Sequence, residues 1–482
     1  MHLPACRAMD SLPRTRAASY GDGTGKQKPH VLVVPYPAQG HLLPLLDLVV
    51  LLAGRGLALT VAVTPGNVRL LAALPPSVAT VVLPFPSGPF LPAGCGENTK
   101  DLPADLFRPF MASLVALSAP LLAWCKAQPR PVTSIVSDLF MGWTRPLADE
   151  LGVTHVAFSP TSVHYLAFTR SLWRRMPTGH DEDGDERVVS FPELPGSPNI
   201  PWRRLSWLFR MHVVGDEVSE TIRQILLWSL ESSCFVVNSF AALEGGCFTD
   251  ALAANRLFMV GPLSEAADVR GGEEEPAEVC AWLDAFGDGS VVYISFGSQE
   301  ALSPAQAACV AEALRLSPTA AFVWVARSGT VVPEGFEAAT ASRGRVIRRW
   351  APQLDILRHR AVGWTLTHCG SNSVMESIAA GVGMLTWPMA ADQFTNAWLL
   401  AETGVAVPVA EGADTVPDVG KVATAISTAV ASKEGESTSR RVVELGRKAA
   451  AAVAVGGTSY NDLEELVCAL SDVHVASSCS VE

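Results

Sequence analysis

The chain has 482 residues, a formal net charge of −12, 49 % apolar residues and 17 % charged residues. That length exceeds what one compact core serves, so two globular domains are expected, and the composition excludes a disordered chain. The negative balance argues against nucleic acid or an anionic membrane as partner, and it implies that an anionic substrate must be captured by local dipoles. Ten cysteines without a framework spacing fit a reducing compartment. The apolar run from Leu42 to Leu52 is broken by Pro44 and Asp47, so no membrane span is expected. Residues 1–27 carry Arg7, Arg14 and Arg16 but lack the apolar core of a secretory signal, and they read as a disordered extension. A cytoplasmic monomer is the expectation.

His30 to Val34 reads as a strand, Pro35 to Gly40 as a loop, His41 to Ala53 as a helix closed by Gly54 and Gly56, and Leu57 to Val63 as the next strand. This opening predicts a parallel sheet with helices on both faces. Ser134 to Asp138, Val153 to Ser159, Cys234 to Asn238 and Leu257 to Val260 read as further strands. The acidic, glycine-rich stretch from Glu265 to Pro276 is the sharpest shift in composition and marks a linker. A second α/β run begins at the strand Val291 to Phe296, where Ser303-Pro304 then offers a capping hydroxyl and a first-turn proline. Ala321 to Val325, Val346 to Ile347, Trp364 to His368, Met384 to Trp387 and Val405 to Val409 continue the alternation, and Tyr460 to Leu470 reads as a terminal helix. The predicted layout is an extension over 1–27, an α/β domain over 28–263, a linker over 264–277, a second α/β domain over 278–456, a helix over 457–471 and a flexible tail over 472–482.

Chemistry concentrates between Trp350 and Gln393. The strand ending at His368 passes through the small residues Cys369 to Ser373 into a helix from Val374 to Ala380, stopped by Gly381. The first N–H groups of such a helix lack internal partners and carry the positive end of its dipole, so they favour a phosphate. His368 sits at a strand's carboxyl end, where open α/β sheets bind ligands. Plainer readings exist: Ser373 and Glu376 also spell a capping box, and tryptophans such as Trp350 are usually buried. Cys369 has no companion at metal spacing and reads as a small core residue. Ser298 closes a strand that faces the same site. At the first strand's end, a helix N-terminus disfavours a charged imidazolium, so His41 reads as a neutral base, and Asp138 stands where it can orient the ring. The acidic cluster Asp181 to Glu186 fails as a calcium loop, with Glu186 at position six and Pro192 at position twelve. No metal or other cofactor is expected. A dinucleotide oxidoreductase is disfavoured, because the turn Pro35 to Gly40 holds one glycine.

The wording WAPQ (Trp350 to Gln353), THCGSNS (Thr367 to Ser373), Glu376 and DQ (Asp392-Gln393) resembles the C-terminal signature box of plant family-1 UDP-glycosyltransferases. PYPAQGH, ending at His41, and SDLF, containing Asp138, resemble that family's N-terminal motifs. The resemblance implies two doubly wound Rossmann-like α/β domains facing across a cleft, the GT-B fold. It implies that Trp350 stacks on uracil, the Ala351 backbone reads the base edge and Gln353 contacts the ribose. His368, Asn372 and Ser373 would hold the diphosphate, with Gly370 in the same donor set. Glu376 would take the ribose hydroxyls, Asp392 and Gln393 the sugar hydroxyls, and His41 with Asp138 would form the catalytic pair. The family usually carries Trp at the position of Ser371, which leaves pentose or deoxyhexose donors, or a non-catalytic UDP-sugar binder, open beside glucose. Gln393 favours glucose over galactose. The reaction implied is metal-free, inverting transfer from UDP-glucose to a small acceptor hydroxyl, and GVGMLTWPMAADQ looks like a branch acting on flavonoids and other phenolics. Phe140, Trp143 and Tyr165, with Phe158 and Phe168, are candidates for an apolar acceptor wall, although such aromatic spacing suits a core equally well.

Overall fold

The structure is a computed structural model that describes residues 29–478 except 87, 89, 178–186, 247, 253–254, 264–275, 299 and 328. The N-terminal extension, most of the expected linker, the acidic cluster at 181–186 and the last four residues lie outside the described residues.

Runs of β-branched and aromatic residues build the first sheet from β1 (His30–Val34), β2 (Ala58–Val63), β3 (Ala79–Val82), β4 (Ser134–Asp138) and β5 (Thr154–Ser159). After a two-stranded antiparallel hairpin of β6 (Val188–Ser190) and β7 (Asn199–Pro201) come its last strands, β8 (Cys234–Val237) and β9 (Arg256–Met259). The order is β3-β2-β1-β4-β5-β8-β9 with every pair parallel, so the winding reverses between β1 and β4. Side-chain alternation splits the apolar residues between two faces. Leu32, Ile135 and Phe235 point to one core, while Val31, Val33, Val136 and Val236 meet Leu42, Leu45 and Val49 of α1 (Gln39–Gly54) on the other. Helix α2 (Val163–Arg175) follows β5.

The second sheet contains β10 (Val291–Ser295), β11 (Ala321–Val325), β12 (Gly344–Ile347), β13 (Val362–Thr367), β14 (Gly383–Thr386) and β15 (Ala406–Pro408), ordered β12-β11-β10-β13-β14-β15 and all parallel. Its winding reverses between β10 and β13. Ser303 caps α3 (Pro304–Arg315) in a reciprocal box with Gln306. Helices α4 (Ser371–Ala380) and α5 (Gln393–Glu402) follow β13 and β14. The last helix, α6 (Thr458–Ser478), returns to the first sheet. There Leu463, Leu466 and Leu470 enter the core beneath α1, Asp462 accepts the Met259 N–H at 2.7 Å, and Ser459 donates to the Gly261 carbonyl at 2.7 Å.

Two sequence expectations are corrected. Ala104–Lys126 is a helical run of 23 residues, long and apolar enough by composition to cross a membrane, which the reading of Leu42 to Leu52 overlooked. It is built from short helical pieces, and its Phe110, Met111, Leu114, Leu117 and Leu121 fill the first core. Helix α4 begins at Ser371 rather than Val374, because Gly370 takes the extended N-cap conformation and the small polar residues form the first turn.

Buried in β5, His155 is held by the hydroxyls of Thr144 (2.8 Å), Ser232 (2.8 Å) and Ser137 (3.0 Å). Burial pushes its pKa down to about 3, with a smaller contribution from the Arg145 charge. A free imidazole protonates near 6.5, so below that pH the unfolded chain binds the extra proton and stability falls as pH drops toward the folded value. The melting temperature should therefore decline from about pH 7 to about pH 4, and a His155→Gln variant should show a flatter acid limb together with a melting point several degrees lower at neutral pH.

Candidate active site

A cleft of about 360 Å³ lies where the carboxyl ends of the two sheets face each other, so residues following β1, β4, β5, β10, β11, β13 and β14 all line it. Both points of winding reversal open onto it.

On the first-sheet side stands His41, in the first turn of α1. Its Nδ1 lies 3.0 and 3.1 Å from the two oxygens of Asp138, which is wholly buried at the end of β4 and also accepts the Phe140 N–H at 2.9 Å. The imidazole is wedged between Tyr36 (ring centroids 5.3 Å apart) and Phe140 (4.6 Å). Burial alone lowers the pKa of this histidine, but the Asp138 charge and hydrogen bond, with the Asp392 charge behind them, outweigh it and raise it above the ordinary value. The direction is opposite to the one expected from the helix N-terminus, because the Asp138 carboxylate hydrogen-bonds the ring directly, whereas a helix end offers about half a charge.

On the other side, His368 is pressed between two glycines. A Cβ on Gly297 would meet its Nε2 at 2.5 Å, and one on Gly370 would meet it at 2.6 Å. Burial drives its pKa down to about 4 against an opposing pull from Asp392, so the ring is neutral at physiological pH. Gly370 caps α4 through backbone alone and has no side chain to cap it, while the Ser371 N–H points at Asp392 Oδ2 at 3.3 Å. Asn372 in that first turn donates to the Gly40 carbonyl at 3.1 Å and so links the starts of α1 and α4 across the cleft. Ser373 sits inside the helix and Glu376 accepts from Gln353 at 2.6 Å, so the two do not form a capping box. Gln353 also accepts from the Tyr293 hydroxyl at 3.0 Å. The Arg327 guanidinium lies 4.9 Å from the centre of the Trp350 ring, within reach of its π face. Ser298, Trp350, Ala351, Gln353, His368, Gly370, Ser371, Asn372, Ser373, Glu376, Asp392 and Gln393 all line the cleft with His41, and Asp138 stands behind His41.

Of the acceptor candidates, Phe140 and Tyr165 line the cleft. Trp143 does not: it is 1 % exposed and packs in the first core with Leu147 and Ile225. Phe158 is buried on the opposite face of the sheet, and Phe168 packs against Phe191, Phe248 and Trp398. Several lining residues escaped the sequence reading. Tyr36, Phe107, Met111, Trp207 and Leu208 make the apolar wall. Thr161 follows β5, lines the cleft, is 4 % exposed, and has a buried hydroxyl without a partner among the described residues. Its position two residues past a strand's carboxyl end was the one signal available.

A histidine–aspartate pair facing a helix start and an aromatic platform defines a group-transfer cleft for a nucleotide-linked substrate. The sequence profile described as UDP-glucoronosyl and UDP-glucosyl transferase matches residues 262–436. UDP-glycosyltransferase 89B2 of Stevia rebaudiana is 44 % identical, over 92 % of this chain and 98 % of its own length. The flavonol 3-O-glucosyltransferase UGT89B1 of Arabidopsis thaliana is 41 % identical, over 91 % and 96 %. The crystal structure of Arabidopsis thaliana UGT89C1 complexed with UDP-L-rhamnose superposes with a TM-score of 0.75 at 34 % identity, covering 92 % of this chain and 100 % of that one. The same protein complexed with quercetin gives 0.75 at 33 %, with the same coverage. The chain belongs to the plant family-1 UDP-glycosyltransferases and has their fold of two Rossmann-like domains. It is an enzyme that moves a sugar from a UDP-sugar to a small acceptor.

The grip on His368 gives a direct test. Gly297 has φ 77°, a region side chains resist, and any Cβ there strikes the imidazole. Gly297→Ala should weaken UDP binding at least about tenfold in calorimetry, since a displaced imidazole could no longer donate to a phosphate at the start of α4.

Proposed function

We propose that this enzyme transfers glucose from UDP-glucose, with inversion, to a hydroxyl of a flavonoid or similar small phenolic, giving a β-O-glucoside. The observation that carries the reading is the His41–Asp138 pair set in one cleft with the start of α4. With Nδ1–H donated to Asp138, Nε2 keeps its lone pair for the acceptor. The acceptor oxygen forms a bond to the anomeric carbon while its proton passes to Nε2. The bond from that carbon to the diphosphate oxygen breaks, and the electron pair leaves with UDP. Attack opposite the leaving group turns an α-linked donor into a β-linked product. Asp138 stabilises the imidazolium that forms. The charge growing on the diphosphate meets the first-turn N–H groups of α4, the amide of Asn372, the neutral ring of His368 and the Ser298 and Ser373 hydroxyls, and this set makes a metal unnecessary. Trp350 offers the uracil platform, Ala351 the base edge, Gln353 and Glu376 the ribose contacts. Asp392 and Gln393, with Thr161 opposite, form the sugar site.

The acceptor class rests on the apolar wall around His41, where Phe140 and Tyr165 join residues of the 107–111 and 206–208 segments, and on the flavonol-directed relative and quercetin-bound neighbour. We take 28–263 as the acceptor domain and 278–456 as the donor domain of a cytoplasmic monomer. A rhamnose or xylose donor is the second reading, favoured by Ser371 at a position where the family usually has Trp.

Release of UDP should require both donor and acceptor, when UDP-glucose, UDP-galactose, UDP-xylose and UDP-rhamnose are each paired with flavonols, hydroxybenzoates and terpenoid alcohols. His41→Ala should lower turnover by about 10²–10⁴-fold and leave UDP affinity intact; retained turnover would remove His41 from the mechanism. Because the base must be unprotonated and its pKa is raised, kcat/KM should climb with pH through a value above 6.5 and then level off. Activity should survive a chelator, and its loss with recovery on adding a divalent ion would refute the metal-free reading.

A further inference from the structure

Two turns that follow adjacent strands meet at the sugar end of the cleft, and both hold a non-glycine residue in the left-handed region: Cys369 at φ 67° and Ala391 at φ 52°. Such conformations are disfavoured for residues with a side chain and persist where the surroundings over-determine them. The residue that over-determines both turns is Asn396, one turn into α5. Its amide donates to the Cys369 carbonyl at 2.9 Å and to Asp392 Oδ2 at 2.8 Å.

Ser371 completes the arrangement. Its hydroxyl, 9 % exposed, donates to Asp392 Oδ2 at 2.5 Å, and its backbone N–H points at the same oxygen at 3.3 Å. Oδ2 therefore faces three donors with two lone pairs and has no capacity left for a ligand. All the hydrogen bonds to this carboxylate among the described residues fall on Oδ2, so Oδ1 is left for the cleft that Asp392 lines. The neighbouring Gln393 is committed as well. Its Oε1 accepts the N–H groups of Met389 (2.8 Å) and Ala390 (2.9 Å), which assigns the amide and leaves Nε2 as a donor.

We propose that Ser371 is a positioning residue for donor recognition: by saturating Asp392 Oδ2 it makes Oδ1 the sole carboxylate acceptor for the transferred sugar. Asp392 then reads one sugar hydroxyl, where a free carboxylate could accept two adjacent ones, and Gln393 reads a second only as a donor. This rests on the reading of Asp392 as a sugar-binding residue, which the test checks separately.

Steady-state kinetics with UDP-glucose and its monodeoxy analogues, alongside calorimetric binding of UDP, provide that test. Removal of one particular hydroxyl should raise KM about tenfold in the wild-type enzyme, and Asp392→Asn should erase the sensitivity at that position alone. Erased sensitivity at two adjacent positions would mean that both oxygens bind sugar and would overturn the proposal. Ser371→Ala should raise the KM for UDP-glucose several-fold, leave the Kd for UDP within about twofold, and have no added effect in the Asp392→Asn background. An unchanged KM in Ser371→Ala would refute the positioning role, and a matching loss of UDP affinity would assign the effect to the helix start instead. An Asp392→Asn enzyme with wild-type KM would show that the sugar-site reading itself fails.

Discussion

Everything at the donor end depends on two helix starts held face to face. The chain carries a net charge of −12, so its overall field repels a UDP-sugar. Positive potential has to be local, and the backbone supplies it: the N-cap residues of α1 and α4 offer no side-chain cap of their own, and the first turns of both helices line one cleft. The bond from Asn372 to the Gly40 carbonyl ties the two starts together. A cationic side chain at this place would bind diphosphate more tightly in the ground state. Neutral donors instead gain most as charge grows on the leaving group, which is where rate acceleration originates.

The same economy governs His368. A protonated histidine beside a diphosphate would be a strong ion pair and a slow product-release site. Contact with Gly297 and Gly370 on two sides removes water from the ring, and the resulting desolvation keeps it neutral. Small residues are thus required at these turns for a packing reason, and the left-handed Cys369 and Ala391 show that the packing is tight enough to hold strained backbone. On the proposed sugar-site reading, Asp392 and Gln393 have their polar atoms divided between protein and ligand in advance, which reduces the ordering cost of binding.

Sequence alone revealed much of this because parallel sheets announce themselves. Their strands are buried on both faces, so β1, β10 and β11 appear as short, nearly continuous apolar runs. Ends of such strands locate ligand sites without any knowledge of side-chain direction, and that brought His41, Asp138, His368 and Asp392 into one hypothesis. Failures came where a tertiary neighbour decides the outcome. Phe140 and Trp143 are three residues apart, yet one turns to the cleft and the other fills the core. No local pattern separates them, because the choice is made by the short helical turn Leu139–Met141 that follows β4. Trp207 and Leu208 arrive from a segment with no periodic pattern at all, brought over the cleft by the chain after the β6–β7 hairpin. Arg203 and Arg204 in that segment both pair with Glu411 of the second half, a cross-cleft contact that spacing cannot foretell.

Capping logic failed for a related reason. Ser373 and Glu376 have the right spacing for a box, but a helix can start wherever the backbone first turns, and Gly370 lets it turn three residues earlier than a capping serine at 373 would. That shift changes the chemistry available. A serine spent on capping would have satisfied one of the N–H groups that a phosphate needs, and Glu376 would have reached back to the helix start. With Gly370 as cap, no serine is spent on capping, the Ser371 N–H points at Asp392, and Glu376 turns to Gln353. The basicity of His41 follows the same principle of placing charge behind the reacting group. Burial between Tyr36 and Phe140 would leave a weak base, and Asp138 restores its proton affinity from the side that the acceptor does not occupy. A stronger base can take a phenolic proton as the new bond forms, at the cost of being occupied by a solvent proton at lower pH. On the proposed reading, with His41 as the base, the working range is set on the first sheet, by Asp138, and donor choice on the second.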